Sequence, residues 1–210
     1  MNDSISIQPL QPQHAAAAAR IHRLSQEGTF LTALGGGFLT VLYEEMSRSK
    51  HSLAFVALAR NEVIGFVVGT LSTGAIFKEV ALKRPFRLGW LVLRRALKRP
   101  RLLWQAAQTL AYPVQANHPL PPAELLSLAL EPRWRNRRIG SALVSHLYAA
   151  MRRAGVAQLA VTVDAANGGA LRFYARHGFK QVGTSEMYGR KMEHLVWTLN
   201  EHDERKPQGD

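Results

Sequence analysis

The chain has 210 residues, 47% of them hydrophobic, which suits one domain with a packed core. Lys and Arg outnumber Asp and Glu by 27 to 15, a formal net charge of +12, so the surface attracts polyanions such as nucleic acid, acidic membrane or a phosphate-rich ligand. The absence of cysteine excludes disulfides, thiolate metal sites and thiol nucleophiles; the lack of any long apolar run and of a signal-peptide pattern leaves a cytoplasmic protein as the expectation.

In SISIQPL, Ile5 and Ile7 alternate with polar neighbours, as in a first strand. QPQHAAAAARIHRLSQEG is an alanine-rich helix ended by Gly28. FLTALGGGFLTVLYEEMSRS keeps helical spacing around a break at Gly35–Gly37. HSLAFVALAR and VIGFVVGTLST are apolar, β-branched-rich runs separated by Asn61 and Glu62, the pattern of an antiparallel hairpin. Residues 74–122 then mix Leu, Phe and Trp with Lys and Arg, and Glu79 is their only acid. Pro85 and Pro100 divide this stretch into two short helices, and PVQANHPLPP closes it as a loop.

AELLSLALEP is a strand stopped by Pro132. RWRNRRIG follows and runs into the helix SALVSHLYAAMRRAG, where Leu143, Leu147, Ala150 and Met151 share one face and Gly155 occupies the C-cap region. AQLAVTVDA is a buried strand. NGGALRFYARHG is a compact helix begun by Asn167 and ended by Gly178. FKQVGTSEMYG and KMEHLVWTLN are a closing pair of strands, and residues 201–210 are a disordered tail. The expected organisation is a single domain over 1–200 carrying a basic helical insertion at 74–122.

A strand, an arginine-bearing loop and a helix in succession form a phosphate site for physical reasons. The first turn of a helix leaves N–H groups without partners and carries partial positive charge. A diphosphate placed there accepts those N–H groups, and guanidiniums add charge-assisted bonds. A glycine at 140 allows close approach of the backbone.

At this point the chain resembles the GNAT superfamily of acyl-CoA-dependent N-acyltransferases. In that family strand four ends in an apolar–acid–Pro step, here Leu130, Glu131 and Pro132, followed by an Arg/Gln-x-x-Gly-x-Gly/Ala pyrophosphate loop. Arg135, Asn136, Arg137, Arg138, Ile139 and Gly140 occupy that motif, with Ser141 next; Arg138 stands where the family has its first glycine. The second signature, Asn-x-x-Ala-x-x-x-Tyr-x-x-x-Gly-Phe, is matched by Asn167, Ala170, Tyr174, Gly178 and Phe179. The resemblance covers residues 4–73 and 122–198.

It implies an α/β fold with a mixed, mostly antiparallel, splayed sheet flanked by helices. It implies acetyl-CoA as cosubstrate, its pantetheine pairing with backbone groups of Leu128, Ala129 and Leu130 like an added strand. Asn167 would hold the pantetheine arm, Ala170 would keep its path clear, and Tyr174 would protonate the departing sulfur. Some members carry the general base five residues before the motif asparagine; that position is Thr162, whose hydroxyl cannot act as one. Others place it six residues before the end of strand four, which is Glu124 here, reaching the amine through a water. Alternation puts Glu124 on one side with Leu126 and Leu128. Glu131 is structural, Asp164 is a weaker candidate for the cleft, His146 and His177 are ordinary helix residues, and no spacing marks a metal site.

The expected activity is transfer of an acetyl group from acetyl-CoA to a primary amine of a small molecule, such as an amino sugar, by direct attack in a ternary complex. The alternatives are a protein N-acetyltransferase acting on lysine or N-terminal amines, a non-catalytic acyl-CoA-binding module, and a nucleic-acid-binding module. The last is disfavoured because no recognised nucleic-acid-binding motif accompanies the charge. The insertion is open to three readings: a lid over the acceptor, an interfacial helix pair on anionic membrane through residues 74–112, or a packing element that makes a homodimer.

Overall fold

The computed structural model describes residues 4–97, 120–187 and 189–198. The short helix expected after Pro100, most of the PVQANHPLPP loop and the tail expected at 201–210 lie outside the described residues. Among the described residues seven strands form one sheet: β1 (Ile5–Pro9), β2 (Ser52–Ala59), β3 (Glu62–Thr70), β4 (Glu124–Leu130), β5 (Gln158–Asp164), β6 (Lys180–Met187) and β7 (Arg190–Thr198). Their order is β1-β2-β3-β4-β5-β7-β6. Every neighbouring pair is antiparallel except β4 and β5.

Apolar stripes of the helices cover both faces of this sheet. On one face lie α1 (Ala15–Ser25), α3 (Gly36–Arg48) and α4 (Thr73–Lys83). Ile21, Leu39, Tyr43 and Ile76 meet Val56, Phe66 and Ala129 there. On the other face α6 (Ile139–Arg153) and α7 (Gly168–Arg176) bring Leu143, Leu147, Met151 and Tyr174 onto Val67, Leu125, Val161 and Trp197.

The glycine break is real and local. α2 (Phe30–Leu34) stops at Gly35, whose φ of 89° is a left-handed value that a Cβ would oppose. The Arg95 guanidinium also fills the space a side chain at 35 would take. Within 74–122, Pro85 begins α5 (Pro85–Ala96), at the position where its missing N–H costs nothing. The corner between α4 and α5 is tied to α3 by Arg84 Nε on the buried Glu45 Oε1 at 2.9 Å.

Two irregularities of β4 shape the site. Val68 pairs with Ser127 but Gly69 with Leu125, so Leu126 is an extra residue, a β-bulge. Leu126 packs on the core beneath α1 and α3, Leu128 on the core beneath α6. The alternation expected of Glu124, Leu126 and Leu128 is therefore broken: Leu128 lies on the opposite face from Leu126. Second, β4 and β5 are paired only at Glu124 and Ala160, with Ala160 N donating to Ala123 O at 2.9 Å. Beyond that point the two strands diverge.

Candidate active site

The divergence opens a cleft of about 760 Å³. Leu125–Leu128 line it from β4, Val161–Asp164 from β5, Ser25–Phe30 from the α1–α2 connection, and Asn167, Ala170 and Tyr174 from the α7 side. A parallel pair that separates after one bridge leaves backbone groups along both strands facing open space, where an extended amide-bearing arm can pair with them. Leu128 lines the cleft, Ala129 turns its side chain into the core, and the Leu130 carbonyl accepts from Ser25 Oγ at 2.9 Å.

At the end of β4, Glu131 is buried and held by Arg20 at 2.5 Å and Arg133 at 2.9 Å, which with their hydrogen bonds keep its carboxyl below the usual range against the opposing effect of burial. This fixes the chain's exit from the strand, as read from sequence. Arg135 reaches back to Ser25 Oγ at 3.3 Å, and the Arg137 guanidinium sits 5.0 Å above the Trp134 ring. Arg135, Asn136, Arg137 and Arg138 are exposed, whereas Ile139 and Gly140 are buried at the first turn of α6. Among the described residues the amides of Ile139, Gly140 and Ser141 have no backbone acceptor, since the first helical bond of α6 is Ala142 N to Arg138 O at 3.1 Å. Three open amides and adjacent guanidiniums fit the pyrophosphate of coenzyme A. A Cβ at Gly140 would point inward and meet the Phe173 ring at 3.5 Å, an ordinary contact, so packing of α6 on α7 does not itself require glycine there.

Arg138 departs from the motif in a way the backbone makes explicit. It is the N-cap of α6 with φ 60° and ψ 2°, the left-handed conformation, and Asn136 also has φ 60°. Asn tolerates this region; Arg pays roughly 1–2 kcal/mol for it. Arg138→Gly is expected to keep thermal stability within about 1 kcal/mol of the parent, because relief of strain offsets glycine's freer unfolded chain. Arg138→Val should lose more than about 1 kcal/mol, since a β-branched residue is a genuine outlier there. Denaturant unfolding of the two variants checks the contrast.

Asn167 uses its Oδ1 to accept from Ala170 N at 3.0 Å, which caps α7, and the residue lines the cleft. Tyr174 stands one turn beyond Ala170 on the same wall, 7% exposed and packed edge-on against Phe179. Burial pushes its phenol well above the ordinary range, so it keeps its proton.

Glu124 is brought to the closed end of the β4–β5 fork, 8% exposed. Its Oε2 accepts from Thr73 Oγ1 at 2.9 Å and its Oε1 from Thr162 Oγ1 at 3.3 Å. Desolvation raises its carboxyl above the usual range, against the lowering effect of those two hydroxyls. Thr162 Oγ1 is also 3.3 Å from His194 Nδ1, and His194 Nε2 is 2.9 Å from Ser185 Oγ. Burial lowers the pKa of His194, which favours the neutral ring. Thr162 lines the cleft and Glu124 stands behind it. A column from α1 and α3 braces this wall: Tyr43 Oη contacts His22 Nδ1 at 2.6 Å and Ser127 Oγ at 3.4 Å, and Gln26 Nε2 donates to Ser127 Oγ at 2.9 Å. Burial takes His22 down to about 4, so it is neutral in that column.

Sequence reasoning passed over Thr162, His194 and Arg190. Thr162 was set aside because a hydroxyl is no base, and His194 lay in a strand with nothing to single it out. Arg190 begins β7 and crosses the cleft: its Nη1 meets Asp164 Oδ2 at 3.1 Å and its Nη2 donates to Gly28 O at 3.0 Å. Among the described residues no group of His, Asp or Glu could hold a metal ion, and no helix is long and apolar enough to cross a membrane.

A forked parallel strand pair, an amide-lined helix start with arginines and a phenol in the fork fit the acyl-CoA-dependent transferase that the sequence resembles. The comparisons reach the same class. The model of the acetyltransferase (GNAT) family matches residues 20–179, and the chain belongs to that family. Its fold and family make it an N-acetyltransferase that uses acetyl-CoA.

Solved structures agree in fold. The ribosomal-protein-S18-alanine N-acetyltransferase of Escherichia coli is 14% identical with a TM-score of 0.61, over 97% of this chain and 99% of that one. NAA60 of Arabidopsis thaliana, in complex with a bisubstrate analogue, is 16% identical with a TM-score of 0.60, over 94% and 99%. The PaiA N-acetyltransferase of Thermoplasma acidophilum, in complex with coenzyme A, is 18% identical with a TM-score of 0.54, over 93% and 99%. No curated protein matches the chain by sequence.

Proposed function

We propose that the chain is a cytoplasmic enzyme that acetylates a primary amine of a small molecule, by direct attack on acetyl-CoA within a ternary complex. The absence of cysteine supports direct attack, since no thiol can carry an acetyl intermediate. The open amides of residues 139–141, with Arg137 and Arg138 beside them, take the pyrophosphate. Asn167 and the free edge of β4 take the pantetheine arm. The cosubstrate supplies the activated acetyl group; the chain positions it, takes one proton and gives one back.

The proton to be removed sits on the acceptor, because an alkyl ammonium with pKa about 10 is not a nucleophile at neutral pH. Thr162 passes it to Glu124: the hydroxyl accepts from the ammonium as its own proton moves to Oε1, so a carboxylate and an ammonium become a carboxylic acid and a free amine. Thr162 thus takes the place first assigned to a water. Tyr174 donates its phenolic proton to the departing thiolate, and the proton that the attacking nitrogen sheds as it becomes an amide returns to the phenolate.

The observation that carries the small-acceptor reading is Arg190. It laces the α1–α2 connection to β5 and β7 across the acceptor side of the cleft. An extended peptide needs an open groove at that place, whereas a compact amine does not. The test is thiol release from acetyl-CoA with amino sugars, other small amines and lysine or N-terminal peptides. Turnover of small amines over peptides is expected, and Arg190→Ala should raise KM for the small acceptor about five- to tenfold while narrowing its advantage over peptides. Faster turnover of peptides by the parent chain would overturn the reading in favour of a protein amine.

A further inference from the structure

The outward face of α5 is apolar, and no described residue covers it. Phe86 is 91% exposed, Trp90 64%, Leu93 49% and Leu97 79%. They are spaced four, three and four residues apart, so they form one narrow stripe. Leu82, at the end of α4, is also exposed, and outside this stretch only Ile5, Leu24 and Val182 are large exposed hydrophobics among the described residues. The opposite face of α5 is apolar too: Leu88 is buried, Leu91 joins the core under α3, and Val92 packs with Phe30 and Leu34. A helix apolar on two faces has one face meant for something other than water.

Charge selects the occupant. Between Thr73 and Leu97 the cations are Lys78, Lys83, Arg84, Arg87, Arg94 and Arg95, against the single acid Glu79, which Lys83 already pairs at 2.6 Å. Arg87 and Arg94 are three and four residues from Trp90 and border the stripe. A second copy docked on this face would set those arginines against their equivalents and join two chains of net charge +12. An anionic lipid surface takes the Phe, Trp and Leu side chains into its acyl boundary and the guanidiniums among its headgroups.

We infer that α5 seats the protein on an anionic membrane surface as an interfacial helix, without spanning it. Val92, on the opposite face, packs against the cluster of Phe30 and Leu34, and Phe30 lines the cleft, so seating leaves α5 between the lipid and that wall. The inference stands apart from the acetyl-transfer reading, and its test has no turnover readout.

The full chain is floated with phosphatidylcholine vesicles, with and without phosphatidylglycerol. Binding is expected only with phosphatidylglycerol. The triple variant Phe86→Ser, Trp90→Ser, Leu97→Ser should weaken it at least about tenfold, and Arg87→Gln with Arg94→Gln by about five- to tenfold for each charge removed. Acetyl-CoA binding should be unchanged in both, which shows that they fold. Equal vesicle binding by parent and triple variant would overturn the inference, since diffuse charge alone would then suffice. No vesicle binding would also overturn it. In that case, a dimer in sedimentation that the triple variant dissolves would give the stripe to a second copy, and a monomer throughout would leave it to the chain's own residues 98–119.

Discussion

Tyr174→Phe is expected to lower the rate constant for thiol release by about 10²–10⁴-fold while leaving acetyl-CoA affinity nearly unchanged. The substitution removes one oxygen and keeps the ring that packs against Phe173 and Phe179, so the wall of the cleft survives. What disappears is the phenolic proton that the proposed mechanism gives to the thiolate. The sign of the pH effect follows from burial: the folded phenol holds its proton to higher pH than a free one. As an acid it therefore remains competent through the alkaline range, and the parent should show no loss of kcat from this group below pH 10. The variant's residual rate should instead depend on the leaving thiolate and on solvent. Calorimetry of acetyl-CoA binding beside a thiol assay separates the two effects. A variant that binds the cosubstrate and releases thiol at the parental rate would remove Tyr174 from the mechanism.

Much of the candidate site proposed above lies in order along the chain, because its parts are local. The phosphate loop needs a strand end, arginines and a helix start in succession, and residues 128–141 supply them. The α7 signature needs a cap, a small residue and a tyrosine one turn later, and Asn167, Ala170 and Tyr174 do so within a single helix. What escaped is non-local. The bulge at Leu126 depends on how β4 registers against β3, and no pattern within ELLSLAL announces it. Thr162 and His194 come together, and gain their proposed roles, only because β5 and β7 pair with those two residues opposite each other. Arg190 matters through Gly28, far away in sequence. Sequence spacing names residues that act through their own element; residues that act across elements are found only once the sheet is assembled.

Glu124→Gln is expected to reduce kcat/KM by about 10²–10³-fold at neutral pH and to change its pH profile. In the parent, the base works only after losing its proton, and burial has raised the pH at which that happens. The acid limb of kcat/KM should therefore lie above the ordinary carboxylate range near pH 4.3. In the Gln variant that limb vanishes, and the rate climbs with pH as free amine accumulates in solution. A Glu124 that served only to hold Thr73 and Thr162 in place would leave the limb where it was.

Stability moves the other way in the same window. The unfolded carboxyl ionises first, so the folded parent loses stability as pH rises from the ordinary value toward the raised one, and Glu124→Gln does not.

Thr162 separates relay from direct contact. Thr162→Val removes the hydroxyl while keeping the shape, and should cost about 10²-fold in kcat, whereas Thr162→Ser restores most of it. In the proposed relay His194 holds Thr162 in line: with Nε2 accepting from Ser185, a neutral ring would present Nδ1–H to Thr162 and turn the threonine's own proton toward Glu124. His194→Phe should then lower kcat with KM little changed, and Ser185→Ala less so. A fully active Thr162→Val variant would return the path between the amine and Glu124 to solvent.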